Sequence, residues 1–283
     1  MTQPRHLALA ILVLASRLFA AAADNPPAAD LGYKDTPIIP GTPWHVHDSD
    51  RPRPPVVTPG PGFSQLALAP ADAVALFDGK DLARWSDSRG NPSRWKVADG
   101  WFESTRGSGG IRTREKFADF QLHIEFATPA SVTGTSQGRG NSGILINGIY
   151  EVQILDSYNN PTYADGQAAA LYGQQPPLVN ASRPPGEWQT YDLVFESPRW
   201  DDKGVLVKKA AVTVIHNGLV VQNHTEFFGS TDGVGAIPHK ALGAYGQRHP
   251  PEVFIELQDH GNPVRFRNIW LRPLVPASVP VAP

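Results

Sequence analysis

Residues 150–156 read YEVQILD, and a second stretch far along the chain, residues 255–261, reads IELQDHG. Each alternates apolar and polar residues, which is the period of a β-strand with one face in a core and the other outside it. The polar members are Glu, Gln and His rather than the Thr, Lys and Ser that usually occupy a solvated sheet face. If both strands belong to one sheet, their polar faces form a single surface. These stretches therefore predict a β fold with a functional site on a sheet.

The period assigns each residue of the two stretches to a face. Glu151 and Gln153 share the polar face of the first strand, and Glu256, Gln258 and His260 share that of the second. The residues expected to point into the core are Val152, Ile154, Ile255 and Leu257. The polar face thus combines hydrogen-bond donors and acceptors with one imidazole that titrates near neutral pH.

The chain between about residues 71 and 274 has the same character throughout. Short runs of period two are separated by turn signals, and Asp-Gly at 99–100 and Asn-Gly at 217–218 predict tight hairpins. Strands are expected near 120–126, 142–147, 188–196, 211–216, 253–259 and 264–271. No segment keeps an amphipathic 3.6-residue period over a dozen residues. The pattern predicts an all-β domain built as an antiparallel sandwich or barrel.

Two long segments, residues 157–186 and 221–251, interrupt this pattern. Insertions of such length in a compact domain are usually functional loops or disorder. The first leaves directly from the YEVQILD strand and carries tyrosines and amides, Tyr158 among them, which suit sugar binding. The second leads into the IELQDHG strand. Both segments are therefore expected to be loops that rim the polar face.

The two ends of the chain differ from this domain. Residues 1–23 are predicted to be a secretory signal peptide, because a basic start precedes a short apolar run, and Ala21, Ala22 and Ala23 supply small residues before Asp24. Residues 24–70 are rich in proline and predict an extended arm that lies on the domain for part of its length. Residues 275–283 form a C-terminal tail. We expect a periplasmic or secreted protein without membrane insertion.

Composition excludes several classes of site and partner. The chain has no cysteine, so it has no disulfides, no thiolate catalysis and no zinc–thiolate centre. Its 25 Lys and Arg residues nearly balance 27 Asp and Glu residues, for a formal charge of −2. Such a balance provides no basic surface, and we expect no nucleic acid partner.

Some isolated motifs are weaker signals than the paired strands. His45 and His47 can place two imidazoles on one side of an extended segment, but the local sequence shows no further metal ligands. The glycine-rich run before Asn141 lacks the strand-then-helix context of a phosphate loop. His123 is expected at an exposed sheet position, because both its neighbours should point inward.

An ordered set of motifs resembles one known family. The motifs are LFDGKDLARW (76–85), GGIRT (109–113), FADFQLHIEF (117–126), RGNSGILI (139–146), YEVQILDSY (150–158), PPGEWQTYDLVF (184–195), VIHNGLVVQNH (214–224) and IELQDHGNPVRFRNIWLRPL (255–274). Together they resemble the 3-keto-disaccharide hydrolases, also described as 3-keto-glucoside 1,2-lyases and 3-keto-2-hydroxy-glucal hydratases. The resemblance covers roughly residues 71–274 and implies a concanavalin A-like jelly-roll β-sandwich that acts on an oligosaccharide or glycoside.

The resemblance also implies a chemistry. A ketone at C3 acidifies the hydrogen at C2, so a base can form an enolate that expels the C1 oxygen, and hydration of the resulting 3-keto-2-hydroxy-glucal completes cleavage. Glu151 or His260 can be the base, with the other as acid or as a ligand of a divalent metal. The substrate-binding candidates are Gln153, Gln258, Arg112, Asn141, Asp156 and Tyr158. Asp156 can equally cap the following loop through an Asx turn.

Two other functions are compatible with such a sheet. A non-catalytic carbohydrate-binding jelly-roll module would use the same aromatic loops, since fold does not determine function. An ordinary glycosidase would need two carboxylates about 5 to 9.5 Å apart. The expected polar face carries Gln153 and Gln258 where a second carboxylate would be needed, which favours the elimination chemistry.

Overall fold

The computed structural model describes residues 31–231, 245 and 248–274. The predicted signal peptide at 1–23 and the C-terminal tail at 275–283 lie outside the described residues. Within the part of the chain that is described, no helix has both the length and the apolar character needed to cross a membrane.

The described chain is built almost entirely from short antiparallel strands. In chain order they are β1 (Val74–Phe77), β2 (Trp85–Ser86), β3 (Lys96–Ala98), β4 (Trp101–Glu103), β5 (Ile111–Thr113), β6 (Phe120–Ala127), β7 (Ser142–Ile146), β8 (Tyr150–Ile154), β9 (Gln189–Glu196), β10 (Arg199–Trp200), β11 (Leu206–Lys208), β12 (Ala211–His216), β13 (Leu219–Glu226), β14 (Ile255–Leu257) and β15 (Arg265–Pro273). Single 3-10 turns lie at Ser136–Gly138 and Ala164–Gly166.

Two sheets form the body of the fold. The larger has the order β13-β12-β9-β6-β15-β4-β3, with β1 also paired to β15, and the smaller has the order β2-β5-β14-β7-β8. Their inner faces supply one continuous core, in which Phe102 packs against Phe77, Trp85 and Phe266. Inward side chains from both sheets interdigitate as in other sandwiches. The predicted all-β antiparallel sandwich is confirmed.

Both predicted hairpin turns are confirmed. Asp99 and Gly100 have φ of 49° and 80° between β3 and β4, and Asn217 and Gly218 have φ of 50° and 88° between β12 and β13. Two successive positive φ values characterise the type I′ turn, whose twist matches that of the strands it joins. The sequence signal was sufficient because it is local.

The expected loop at 221–251 is wrong at its beginning. Residues up to Glu226 belong to β13, which pairs with β12 as the second half of the Asn-Gly hairpin. His224, which falls within the expected loop, lies instead on this strand and contacts Glu196 at 3.3 Å. The strand was missed because its residues after Gln222 are polar and partly exposed at the sheet edge, so they lack a clear apolar alternation.

The expectation of an exposed His123 is also wrong. Its side chain is fully buried on the outer face of the larger sheet, where Nδ1 lies 2.6 Å from Asp192 and the ring stacks on Trp270. The strand period was read correctly, because His123 does point away from the core. The arm covers this face, however, with Ser64 donating to Asp192 and Ala67 accepting from Trp270.

The arm, which the structure describes from residue 31 to residue 70, has no regular strand. It is nevertheless hydrogen-bonded to the domain at several points along its length. As in a parallel bridge, the backbone N–H of Val57 donates to the carbonyl of Asn180, and the N–H of Asn180 donates to the carbonyl of Pro55. Further along, Gln65 donates to the carbonyl of Trp188. The arm therefore contacts both the long loop after β8 and the larger sheet.

Candidate active site on the smaller sheet

The two stretches that opened the sequence analysis lie in one sheet, on either side of β7. In the register of this sheet, Leu145 of β7 faces Glu151 on one side and Glu256 on the other. One step along, Gly143 faces Gln153 and accepts a hydrogen bond from the backbone of Gln258. The polar side chains of β8 and β14 therefore share the outer face of the sheet, as the period predicted.

Glycine at position 143 leaves room on this face for the carboxylate of Glu151. A Cβ built on Gly143 would lie 3.1 Å from Cδ of Glu151 and closer still to its Oε1, so the carboxylate extends directly over this residue. Gly110 of the neighbouring chain segment also lacks a side chain beside Gln258. We call the strip of this face at Gly143, between Gln153 and Gln258, the trough. Close approach of a ligand to a sheet is a common reason for glycine within a strand.

Three amide oxygens of this region are buried without a hydrogen-bond partner among the residues that the structure describes: Oε1 of Gln153, Oε1 of Gln258 and Oδ1 of Asn141. The amide nitrogens of Gln153 and Asn141 donate to Gln137, at 2.9 and 2.7 Å. These bonds fix the orientation of both amides. A buried acceptor without a donor costs about 1–3 kcal/mol, so each oxygen is suited to receive a hydroxyl of a ligand.

Glu151 is 6% exposed, and its backbone makes hydrogen bonds with two other segments of the chain. Its backbone N–H donates to the hydroxyl of Thr231 at 2.8 Å, and its carbonyl accepts from the N–H of Tyr172 at 3.3 Å. Since Leu171 pairs with Val152 on the core side, Tyr172 projects to the same face as Glu151. Burial raises the pKa of Tyr172 and the charge of Glu151 adds to this rise, so its hydroxyl stays protonated.

A second carboxylate, Glu256, stands on the same face but is directed away from the first. Its Oε1 lies 3.2 Å from the position that a Cβ on Gly148 would take, at the hairpin between β7 and β8. Glu151 leans in the opposite direction, over Gly143. Burial raises the pKa of Glu256, and the charge of Arg112 opposes this rise. The two carboxylates are therefore not arranged as a facing pair.

His260 lies beyond the end of β14 and is exposed. The turn that carries it is held by Asp259, whose carboxylate accepts from the N–H groups of Gly261 and Gly109 at 2.9 and 3.0 Å. Asn262 then accepts from the backbone of Asn141 at 2.7 Å. This turn is thus attached to the rim of the trough at Asn141, whose amide oxygen has no partner among the described residues.

The remaining predicted site residues, Arg112, Asp156 and Tyr158, make contacts outside the trough. Arg112 stacks its guanidinium over the ring of Phe254, 4.4 Å from the centroid. Asp156 is buried, with one oxygen bound to Nε of Arg139 at 2.7 Å and the other accepting the N–H of Tyr158 at 3.2 Å. The bond to Tyr158 is the Asx turn, so both oxygens of Asp156 are hydrogen-bonded within the loops. The ring of Tyr158 is 36% exposed on that loop.

No group of three or more His, Cys, Asp or Glu side chains in the described ranges is arranged to hold a metal ion. Glu151 and His260 alone, one buried in the trough and one exposed at its rim, do not supply a full ligand set.

The profile of the 3-keto-alpha-glucoside-1,2-lyase-like domain matches residues 72–272. The chain belongs to this family. The resemblance found in the motifs is thereby confirmed, and family membership supports an enzyme that acts on glycosides.

Individual relatives agree with the family match. A 3-keto-disaccharide hydrolase of Bacteroides thetaiotaomicron is 28% identical over 250 residues, which cover 72% of this chain and 80% of the relative. The crystal structure of a candidate glycosyl hydrolase from Parabacteroides distasonis is 46% identical, with a TM-score of 0.67, and covers 79% of this chain and 93% of that one. A second such structure from that organism, at 19% identity and a TM-score of 0.51, covers 72% and 94% and shows the fold alone.

The sequence indicated Tyr172 only as one of the tyrosines on the loop at 157–186, and it did not indicate Gln137 as part of this site. Both lie on loops, and nothing in their local sequence indicates which face of which strand they approach. Glu256 was assigned to the correct face, but its direction along the strand depends on the hairpin at Gly148. A period of two determines on which face of the sheet a side chain lies, but it does not determine in which direction along the strand the side chain points.

Proposed function

We propose that this protein cleaves 3-keto-glycosides by removing the proton at C2 and eliminating the C1 substituent. The observation that supports this best is the Glu151 carboxylate, which extends over the Gly143 backbone between two glutamines with unpartnered amide oxygens. Because Gly143 has no side chain, the carboxylate has room to lie beside the position proposed for the ring carbon. The neighbouring amides are suited to hold the sugar hydroxyls around it.

In the proposed reaction, Glu151 takes the C2 proton and the C–H electron pair becomes the enolate of the C3 ketone. The enolate then forms the C1–C2 double bond as the C1–O bond breaks, and the departing oxygen takes a proton. The products are the 3-keto-2-hydroxy-glucal and the free alcohol. Addition of water across C1–C2 would give the 3-keto sugar, so that the two steps together are a net hydrolysis.

The leaving oxygen needs a proton donor, and two groups are placed near enough to the trough to be considered. His260 stands at its rim and can donate when protonated. The Tyr172 hydroxyl accepts from or donates to Tyr163 at 2.8 Å and lies on the face of Glu151. A neutral tyrosine can also stabilise the enolate oxygen by a hydrogen bond.

The test compares the purified protein on 3-keto-glycosides and on the same glycosides without oxidation. We expect release of the alcohol from the 3-keto substrates alone. Glu151→Gln should lower kcat by about 10² or more, the range for loss of a general base, and His260→Ala should lower it if the imidazole is the acid. Both variants must retain the thermal unfolding transition of the wild type.

Glu256→Gln is the matched control, because it removes a carboxylate from the same face that is directed elsewhere. Equal loss of activity in Glu151→Gln and Glu256→Gln, with cleavage of unoxidised glycosides, would instead indicate a two-carboxylate glycosidase. Binding of sugar without turnover of any substrate would indicate a carbohydrate-binding module. Assays before and after dialysis against a chelator test whether a divalent metal takes part.

We also propose that the protein is exported to the periplasm or beyond, in keeping with the signal peptide predicted at 1–23. N-terminal sequencing of the mature protein should then begin near Asp24. A mature protein that keeps residues 1–23 would contradict this proposal.

A further inference from the structure

The arm lies outside the region matched by the family profile, yet it inserts a side chain beside the site. His47 is 1% exposed, and its ring lies between Tyr163 and Tyr172, with centroids 4.1 and 4.8 Å away. Both tyrosines belong to the long loop that follows β8. The arm and this loop thus form one aromatic cluster.

Buried polar contacts fix the arm in this position. The carboxylate of Asp165 accepts from the backbone N–H of His47 at 2.9 Å and lies 3.1 Å from its Nδ1. Arg51 approaches the same carboxylate at 3.9 Å and donates to the carbonyl of Gln174 at 3.1 Å. Asp165 is fully buried, and both arm residues are at most 8% exposed. A loosely tethered segment would not bury so many charged groups in mutual contact.

The cluster continues to the candidate base. Tyr172 donates its backbone N–H to Glu151 and carries its side chain on the same face of the sheet. Its hydroxyl lies 2.8 Å from that of Tyr163. A continuous path of packed rings therefore connects the arm with the edge of the trough.

Tyr33 is the outermost ring of this cluster. Its centroid lies 6.2 Å from Tyr163 and 6.3 Å from His47, and its backbone N–H donates to the carbonyl of His47 at 2.7 Å. The residue is nevertheless 42% exposed. An exposed tyrosine on a rigid support provides a large contact area at little entropic cost, which suits it to pack on a sugar ring.

We propose that the arm forms the subsite for the leaving group, in which Tyr33 packs against the second sugar ring of a 3-keto-disaccharide. This inference rests on the proposed function, which places the oxidised ring beside the Glu151 carboxylate. The amides of the trough bind the hydroxyls of the oxidised ring. The aromatic cluster beyond Glu151 binds the group attached to C1 of that ring. The arm thereby adds selectivity for disaccharides to the domain that the family shares.

The test uses the full chain with Tyr33→Ala and two substrates that differ only in the leaving group: a 3-keto-disaccharide and the methyl 3-keto-glycoside. We expect KM for the disaccharide to rise about tenfold with little change in kcat, and both constants for the methyl glycoside to stay the same. Tyr33→Phe should keep the wild-type preference. Ile38→Ala is the matched control, because it removes an apolar side chain of the arm that is 56% exposed.

An equal effect of Tyr33→Ala on both substrates, or none on either, would overturn the subsite. If the wild type cleaves neither substrate, the proposed function fails. The subsite is then tested by measuring ligand binding with calorimetry. Binding of the 3-keto-disaccharide and of the methyl 3-keto-glycoside is then compared between the wild type and Tyr33→Ala. Selective weakening of disaccharide binding would still support the subsite, and equal affinities in the two proteins would reject it.

Discussion

Gln258 shows how a single residue can be placed for ligand binding at the expense of stability. Its amide oxygen is buried without a partner among the described residues, at one side of the trough. An acceptor without a hydrogen bond destabilises the folded protein. It is retained where a bound ligand donates the missing hydrogen bond. The same holds for the amide oxygens of Gln153 and Asn141.

This reasoning gives a prediction for Gln258→Met, which keeps the shape of the side chain and removes the amide. The free energy of unfolding in urea should stay the same or increase, because a buried unsatisfied group is removed. KM for the 3-keto substrate should rise between about twofold and tenfold, the loss of one hydrogen bond of about 0.5–1.5 kcal/mol. A variant that is destabilised but binds substrate normally would show that the amide has a structural role.

At the scale of elements, the local turn signals were reliable and the edges of the sheets were not. The Asn-Gly pair at 217–218 correctly predicted a hairpin, while the polar strand that follows it was read as loop. Turn type depends on φ values that few residues can adopt, so the sequence carries that signal directly. An edge strand needs only its backbone hydrogen bonds and can carry polar side chains on both faces.

The hairpin between β12 and β13 also supports the arm, which makes a second prediction. Gly218 has φ of 88°, and a Cβ on it would lie 2.7 Å from Cγ of Phe63 in the arm. Gly204 has φ of 79°, but a Cβ there would meet nothing within 4 Å. In both Gly→Ala variants the free energy of unfolding should fall by about 1–2 kcal/mol, because alanine is strained in the left-handed backbone conformation. Gly218→Ala should lose about 1–3 kcal/mol more by overpacking.

Urea unfolding of the two variants measures this difference. Gly204→Ala is the control for backbone strain, so the excess in Gly218→Ala reports the contact with the arm. Equal free energies of unfolding in the two variants would mean that Phe63 does not pack on the hairpin in solution.

At the scale of the whole molecule, the arm covers a charged network on the outer face of the larger sheet. Glu125 contacts His123 at 3.6 Å and Nε of Arg267 at 2.7 Å, and it accepts the backbone N–H of Leu66. Burial raises the pKa of Glu125, but these partners together with Asn268 bring it down to about 2. Burial lowers the pKa of His123, yet its hydrogen bonds and ion pairs with Asp192 and Glu125 leave it raised.

These shifts predict how stability depends on pH. A raised pKa means that His123 contributes its full stabilisation below the unfolded value of about 6.5 and loses it as pH rises through the folded value. Glu125, with its pKa at about 2, contributes above the unfolded value of about 4.3 and loses this as pH falls. The network is therefore strongest between about pH 4.3 and 6.5.

Urea titrations of the wild type and His123→Gln at several pH values test this expectation. The advantage of the wild type should shrink as pH rises from 6 to 9. His224→Gln is the control, since its side chain is 58% exposed and the difference from wild type should change little over the same range. A constant difference between wild type and His123→Gln would show that His123 does not carry a proton in the folded protein.

The sequence by itself determined the fold class, the two hairpin turns and the face on which Glu151, Gln153, Glu256 and Gln258 stand. These properties depend on neighbours along the chain, through the period of a strand and the φ values of a turn. Tertiary structure decided what the local pattern does not contain: the burial of His123 under the arm, the opposite lean of the two glutamates, and the approach of Tyr172 to Glu151. Each of these depends on segments distant in sequence, which only the packing of the sheets and the arm brings into contact.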